Sequence, residues 1–121
     1  MKTKLKSILN ARDAVQRLAK QSLPVAVSYR VTKLVNAMNV ELAIYEKERV
    51  KLCEKYGSLN ETGEKYIIRE GDGFSEEFNT LLDFDIELGA QKIILPESLL
   101  ITAADLLLLS DFVEIEGAED D

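Results

Sequence analysis

SLPVAVSYRVTKLVNAMNVELAIYEKERVKLCEKYG, Ser22 to Gly57, decides the fold. Along it Val27, Val31, Leu34, Met38, Leu42, Tyr45, Arg49, Leu52 and Tyr56 recur in steps of 4-3-4-4-3-4-3-4. That is a heptad pattern with one extra-residue stutter, and it stays nearly straight along an α-helix. Ser22 is placed to cap the helix, Pro24 suits its first turn and Gly57 can close it. About 33 residues lie between, roughly 50 Å of helix. This is longer than a domain of 121 residues needs for itself.

Upstream, KTKLK (Lys2 to Lys6) reads as a short edge strand. Asn10 with Asp13 three residues on resembles an N-cap and its N3 carboxylate. A shorter helix is expected from there to about Gln21, with Val15, Leu18 and Ala19 on one side. Downstream, NETGE (Asn60 to Glu64) reads as a turn, KYIIR (Lys65 to Arg69) as a strand and GDG (Gly71 to Gly73) as a second turn. Ser75 is expected to cap a helix through EEFNTLL, with Phe78, Leu81 and Leu82 inward. DFDIEL (Asp83 to Leu88) alternates strictly, so Phe84, Ile86 and Leu88 share one face of a strand. QKIIL follows as a further strand, ended by Pro96. Thr102 with Asp105 is a capping box opening a helix from Ala103 to Leu109. The acidic residues after Ile115 read as a frayed tail. The fold class is α+β: a long central helix packed with a shorter N-terminal helix, a small antiparallel sheet and short C-terminal helices.

A single domain follows from the length, and such a chain buries roughly two thirds of its unfolded surface. No apolar run approaches the roughly 20 residues that span a bilayer. The basic N-terminus is interrupted at Asn10, Arg12 and Asp13, which argues against a secretory signal. The chain has no histidine and one cysteine. That removes His-dependent nucleophilic catalysis, His-containing zinc sites and all-thiolate sites. Cys53 reads as a small buried hydrophobe rather than a nucleophile. No calcium-loop, Walker or dinucleotide-fold motif is present. The expectation is a protein that is not an enzyme and needs no metal or cofactor.

Charge divides the chain. Residues 1–56 carry 12 Lys+Arg against 5 Asp+Glu (+7), and residues 57–121 carry 3 against 17 (−14), giving the net −7. A basic helical half (1–57) and an acidic α+β half (58–121) are expected to attract each other. Arg49 lies in the core stripe and needs a partner; Asp83, Asp85 or Glu77 are the candidates for a structural ion pair.

Nearly opposite the core stripe, Tyr29, Lys33, Asn36, Val40 and Ile44 share a second face, flanked by Ala26, Arg30 and Ala37. A helix at the surface of one domain should be polar there. Small and apolar residues predict a covering helix instead, either a second copy of the chain or the N-terminal helix. In a homo-oligomer, symmetry would repeat Tyr29, Arg30, Lys33 and Asn36 at the interface. Cations beside an aromatic suit a small ligand bearing phosphate and base. The same cations also suit interchain pairs with Glu41 or Glu48. Duplex DNA fits less well, because the chain is acidic and lacks a basic-aromatic nucleic-acid motif.

The long stretch also resembles a pattern of small proteins from tailed phages and prophages. There an LP segment with a following Tyr leads a long helix ending E-x-x-R-x-x-L-x-x-K-Y-G. The matching residues are Leu23, Pro24, Tyr29, Lys33, Leu34, Glu46, Arg49, Leu52, Lys55, Tyr56 and Gly57, then Glu76 to Asn79. The chain departs from the pattern at Val25 or Ala26, where a Lys is more usual. The resemblance implies a phage protein working in the host cytoplasm by binding. One such role is sequestering a nucleotide-derived immune signal between subunits, an anti-defence activity. The alternative is virion or tail assembly, with the acidic half engaging a basic phage protein.

Overall fold

The computed structural model describes residues 1–68 and 73–117. Elements follow in the order β1 (Lys2–Lys4), α1 (Leu5–Ala19), α2 (Val25–Tyr56), β2 (Gly57–Leu59), β3 (Tyr66–Ile68), α3 (Phe74–Leu82), β4 (Asp85–Glu87), β5 (Ile93–Leu95), α4 (Ala103–Leu109) and β6 (Val113–Ile115). The fold is α+β, with the long helix α2 packed against α1. Arg69, the expected turn residues Gly71 and Asp72, and the tail from residue 118 lie outside the described residues.

The heptad pattern builds α2 as expected, over 32 residues. Pro24, not Ser22, is the residue before its first turn, and no side chain caps it. Val27, Val31, Leu34 and Met38 are buried, whereas Leu42, Tyr45, Leu52 and Tyr56 are only half-buried. The reason is that the main core sits against the first half of the helix alone. There α1 supplies Ile8, Ala11, Ala14, Val15 and Leu18, β5 supplies Ile93 and Leu95, and Leu109, Phe112 and Val113 close the far side. Burying side chains such as Leu34 and Phe112 stabilises the fold by about 1.5–3 kcal/mol each. The second half of α2 projects beyond this core and is covered by the β2–β3 hairpin and α3. An edge-on pair, Tyr45 with Phe78, and the stacked rings of Phe74 and Phe78 fill that junction.

Several local expectations are corrected. Helix α1 begins at Leu5, so Asn10 lies inside it and caps nothing. Leu5, Ile8, Ala11, Val15 and Leu18 form one buried stripe, and burying it outweighs the capping preference of Asn10. The helix ends at Ala19, which is exposed. Helix α3 starts after Gly73, whose φ of 94° only glycine adopts without strain, and Ser75 is already helical. Phe84 is 59% exposed because it sits in the turn before β4, with its N–H donating to Leu81 O and its carbonyl accepting from Leu5 N. The capping box holds: Thr102 Oγ1 accepts from Asp105 N at 3.1 Å, and α4 spans the expected residues.

The strands form three two-stranded ladders. β1 with β4 and β2 with β3 are antiparallel; β5 with β6 is parallel, and neither β2 nor β6 was expected. Asn60 Oδ1 organises the β2–β3 turn by accepting from Glu64 N and Lys65 N. Ion pairs cross the charge division: Lys4 pairs with Asp85, Lys6 with Asp83, Arg17 with Asp105 and Lys55 with Glu77.

Candidate functional site

The first three turns of α2 run beside the segment Gly89–Ile94. Ile93 and Leu95 are buried in the core next to Val27 and Val31, so this segment is held close to the helix. Strand alternation then turns Lys92 and Ile94 outward. Between the two walls lies an open groove of about 780 Å³. Val25, Ala26, Tyr29, Arg30 and Lys33 form the helix wall, and Gly89, Ala90, Gln91, Lys92 and Ile94 form the other.

Helical spacing explains the first wall. Tyr29 and Lys33 are one turn apart, as are Ala26 and Arg30. The Lys33 ammonium lies over the Tyr29 ring, 5.6 Å from its centroid. Such an exposed cation–π contact contributes on the order of 0.5–1 kcal/mol. Tyr29 is nevertheless 66% exposed, so its ring is open to a stacking partner. Ala26 leaves room beside Arg30, and Val25 and Ile94 make the groove partly apolar.

The electrostatics are one-sided. Arg30, Lys33 and Lys92 line the groove, and no carboxylate does. Among the described residues, Arg30 and Lys33 have no carboxylate oxygen within 4.0 Å. Lys92 reaches Glu114 only at 4.0 Å. Cations without carboxylate partners on a chain of net charge −7 concentrate positive field in one concave place.

Of the four expected ligand residues, Tyr29, Arg30 and Lys33 come together in this groove. Asn36 is exposed further along α2 and does not line it. Lys92, Gln91 and Ile94 were not foreseen. The alternation in QKIIL shows that Lys92 and Ile94 share a face, but only tertiary packing sets that face beside α2.

The other expected residues have structural roles. Arg49 is not paired with Asp83, Asp85 or Glu77: it donates from Nε and Nη2 to the carboxylate of Glu46, one turn back. That hydrogen bonding raises the Arg49 pKa above its ordinary value and lowers that of Glu46. The local partner suffices because α2 here lies beyond the main core, leaving the Arg49 side chain 38% exposed. Cys53 is buried and unpaired, with Arg49 Nη1 3.8 Å from its sulfur. Among the described residues, no three His, Cys, Asp or Glu side chains gather as metal ligands.

The second face of α2 stays open. Val40 is 61% exposed and Ile44 52% exposed. Helix α1 lies instead along the core stripe, where Arg12, Val15 and Gln16 meet Val35, Met38 and Leu42. No helix among the described residues is long and apolar enough to cross a membrane. Comparison with protein-family models, curated proteins and solved structures finds no match to this chain.

Proposed function

We propose that this protein acts by binding, without chemical turnover, and holds a small phosphorylated, base-bearing molecule in the groove between α2 and Gly89–Ile94. The observation that carries the reading is the meeting of Tyr29, Arg30, Lys33 and Lys92 in one concave site without a carboxylate. Arg30 has the planar donor fork that matches a phosphate, Lys33 and Lys92 add point charges, and Tyr29 offers a face to a base. The same proposal has the chain self-associating through Val40 and Ile44, which its own described residues leave uncovered. With the resemblance to small tailed-phage proteins, this points to sequestration of a nucleotide-derived host signal in the host cytoplasm.

Calorimetric titration with ADP-ribose and with AMP tests the reading. Binding of at least one is expected, and Arg30→Ala should weaken it roughly 10- to 100-fold, the value of a charge-assisted hydrogen bond. Recovery of the bound molecule unaltered after denaturation is also expected. No heat of binding with either compound, or an affinity unaffected by Arg30→Ala and Lys33→Ala, would overturn the assignment.

A further inference from the structure

A second groove of about 730 Å³ adjoins the first, and Gln91 and Lys92 line both. Its other walls come from the start of the chain (Lys2, Thr3, Lys4 and Ser7), from Asp85 across the β1–β4 ladder and from Asp111 in the turn between α4 and β6. The antiparallel register sets Lys2 opposite Glu87 and Lys4 opposite Asp85. Thr3 faces inward, and its buried hydroxyl has no hydrogen-bond partner.

The two grooves differ in character. The first has the aromatic ring, Val25 and Ile94; the second has no ring and is lined mainly by Lys, Thr, Ser and Asp side chains beside Met1. Among the described residues, the cations with no carboxylate oxygen within 4.0 Å are Lys2, Lys20, Arg30, Lys33, Lys47 and Lys65. Half of these line the two grooves, and Lys92 lines both. In the second groove Lys4 is occupied by Asp85 at 2.9 Å, leaving Lys2 as its free cation and Asp111 as its opposing charge. Each groove alone falls within the roughly 300–1,000 Å³ of a small-molecule site.

We infer that the two grooves form one continuous trough for a dinucleotide. One nucleoside sits on Tyr29, a phosphate lies near Arg30, Lys33 and Lys92, and a second phosphate reaches past Lys92 to Lys2 and Ser7. The inference rests on the assignment of the Tyr29 groove as an anion site and specifies the ligand class that the whole trough accepts.

Titration of the full chain with AMP and with the 5′-phosphorylated dinucleotide pApA tests it. At least tenfold tighter binding of pApA is expected. Lys2→Ala should collapse the pApA/AMP affinity ratio toward one, and Arg30→Ala should weaken both probes. Asp111→Asn should raise pApA affinity several-fold, a gain that lost folding cannot imitate; circular dichroism checks that each variant is folded. Equal affinities for the two probes, or a ratio indifferent to Lys2 and Asp111, overturns the dinucleotide trough while leaving the single-groove reading standing. Affinity that rises again with a hexanucleotide overturns it in favour of a polymer site. Binding of neither probe overturns both.

Discussion

At Gly57, helix and strand meet with no connecting loop. Its φ is −141°, an extended conformation open to any residue, so the glycine is not there for a left-handed cap. Space is the reason. A Cβ at this position would lie 2.5 Å from the Ile67 carbonyl oxygen and 3.0 Å from that of Cys53. Gly57→Ala should therefore force the β2–β3 hairpin away from α2 and destabilise the fold by about 1–3 kcal/mol, as overpacking does; urea denaturation measures it. The sequence marked Gly57 as the end of the helix, but not why a glycine stands there. Arg49 carries the opposite lesson. Its partner Glu46 was legible as a carboxylate one turn away, yet its place in the heptad stripe pointed to distant acids. Local pairs need no tertiary contact, and this part of the stripe turned out to be half-open.

Helix α2 has two unlike faces, and substitutions should separate them. Leu34→Ala removes a fully buried side chain and should cost about 2–5 kcal/mol. Val40→Lys with Ile44→Lys changes residues that are mostly exposed in the single chain, and should alter the stability of the monomer by no more than about 0.5 kcal/mol per site. If α2 mediates self-association, light scattering should find the wild type oligomeric and this double variant monomeric. A monomeric wild type would remove self-association from the proposal and leave the groove intact. The 4-3 spacing made both faces legible. It gave no means of knowing that α1 lies along the core stripe and leaves the second face open.

The whole molecule is two oppositely charged halves docked through a shared core and surface ion pairs. Arg17 donates to both carboxylate oxygens of Asp105, at 2.8 and 2.6 Å, joining α1 to α4. Hydrogen bonding from Arg17 lowers the Asp105 pKa, and hydrogen bonding from Lys4 lowers that of Asp85. A carboxyl lowered in the folded state binds its proton more readily when unfolded. The stabilisation is therefore complete above the ordinary aspartate range, near about pH 4, and is lost as pH falls through the lower folded values. Denaturant midpoints should accordingly decline on the acid side, and Asp105→Asn should flatten part of that decline while lowering stability at pH 7. An unchanged acid slope in that variant would show that the pair does not couple docking to pH.

The long helix, the α+β class, the capping box at Thr102, the charge division and the grouping of Tyr29, Arg30 and Lys33 are all written in the linear chain. These rest on periodicity and composition, which are local or summed properties of the chain. Packing alone sets the start of α1 at Leu5, the parallel pairing of β5 with β6, and Lys92 in one groove with Arg30. Residues more than fifty positions apart meet there because Ile93 and Leu95 are buried against the same core as Val27 and Val31. Burial chooses such neighbours by shape and volume, and no sequence spacing encodes them.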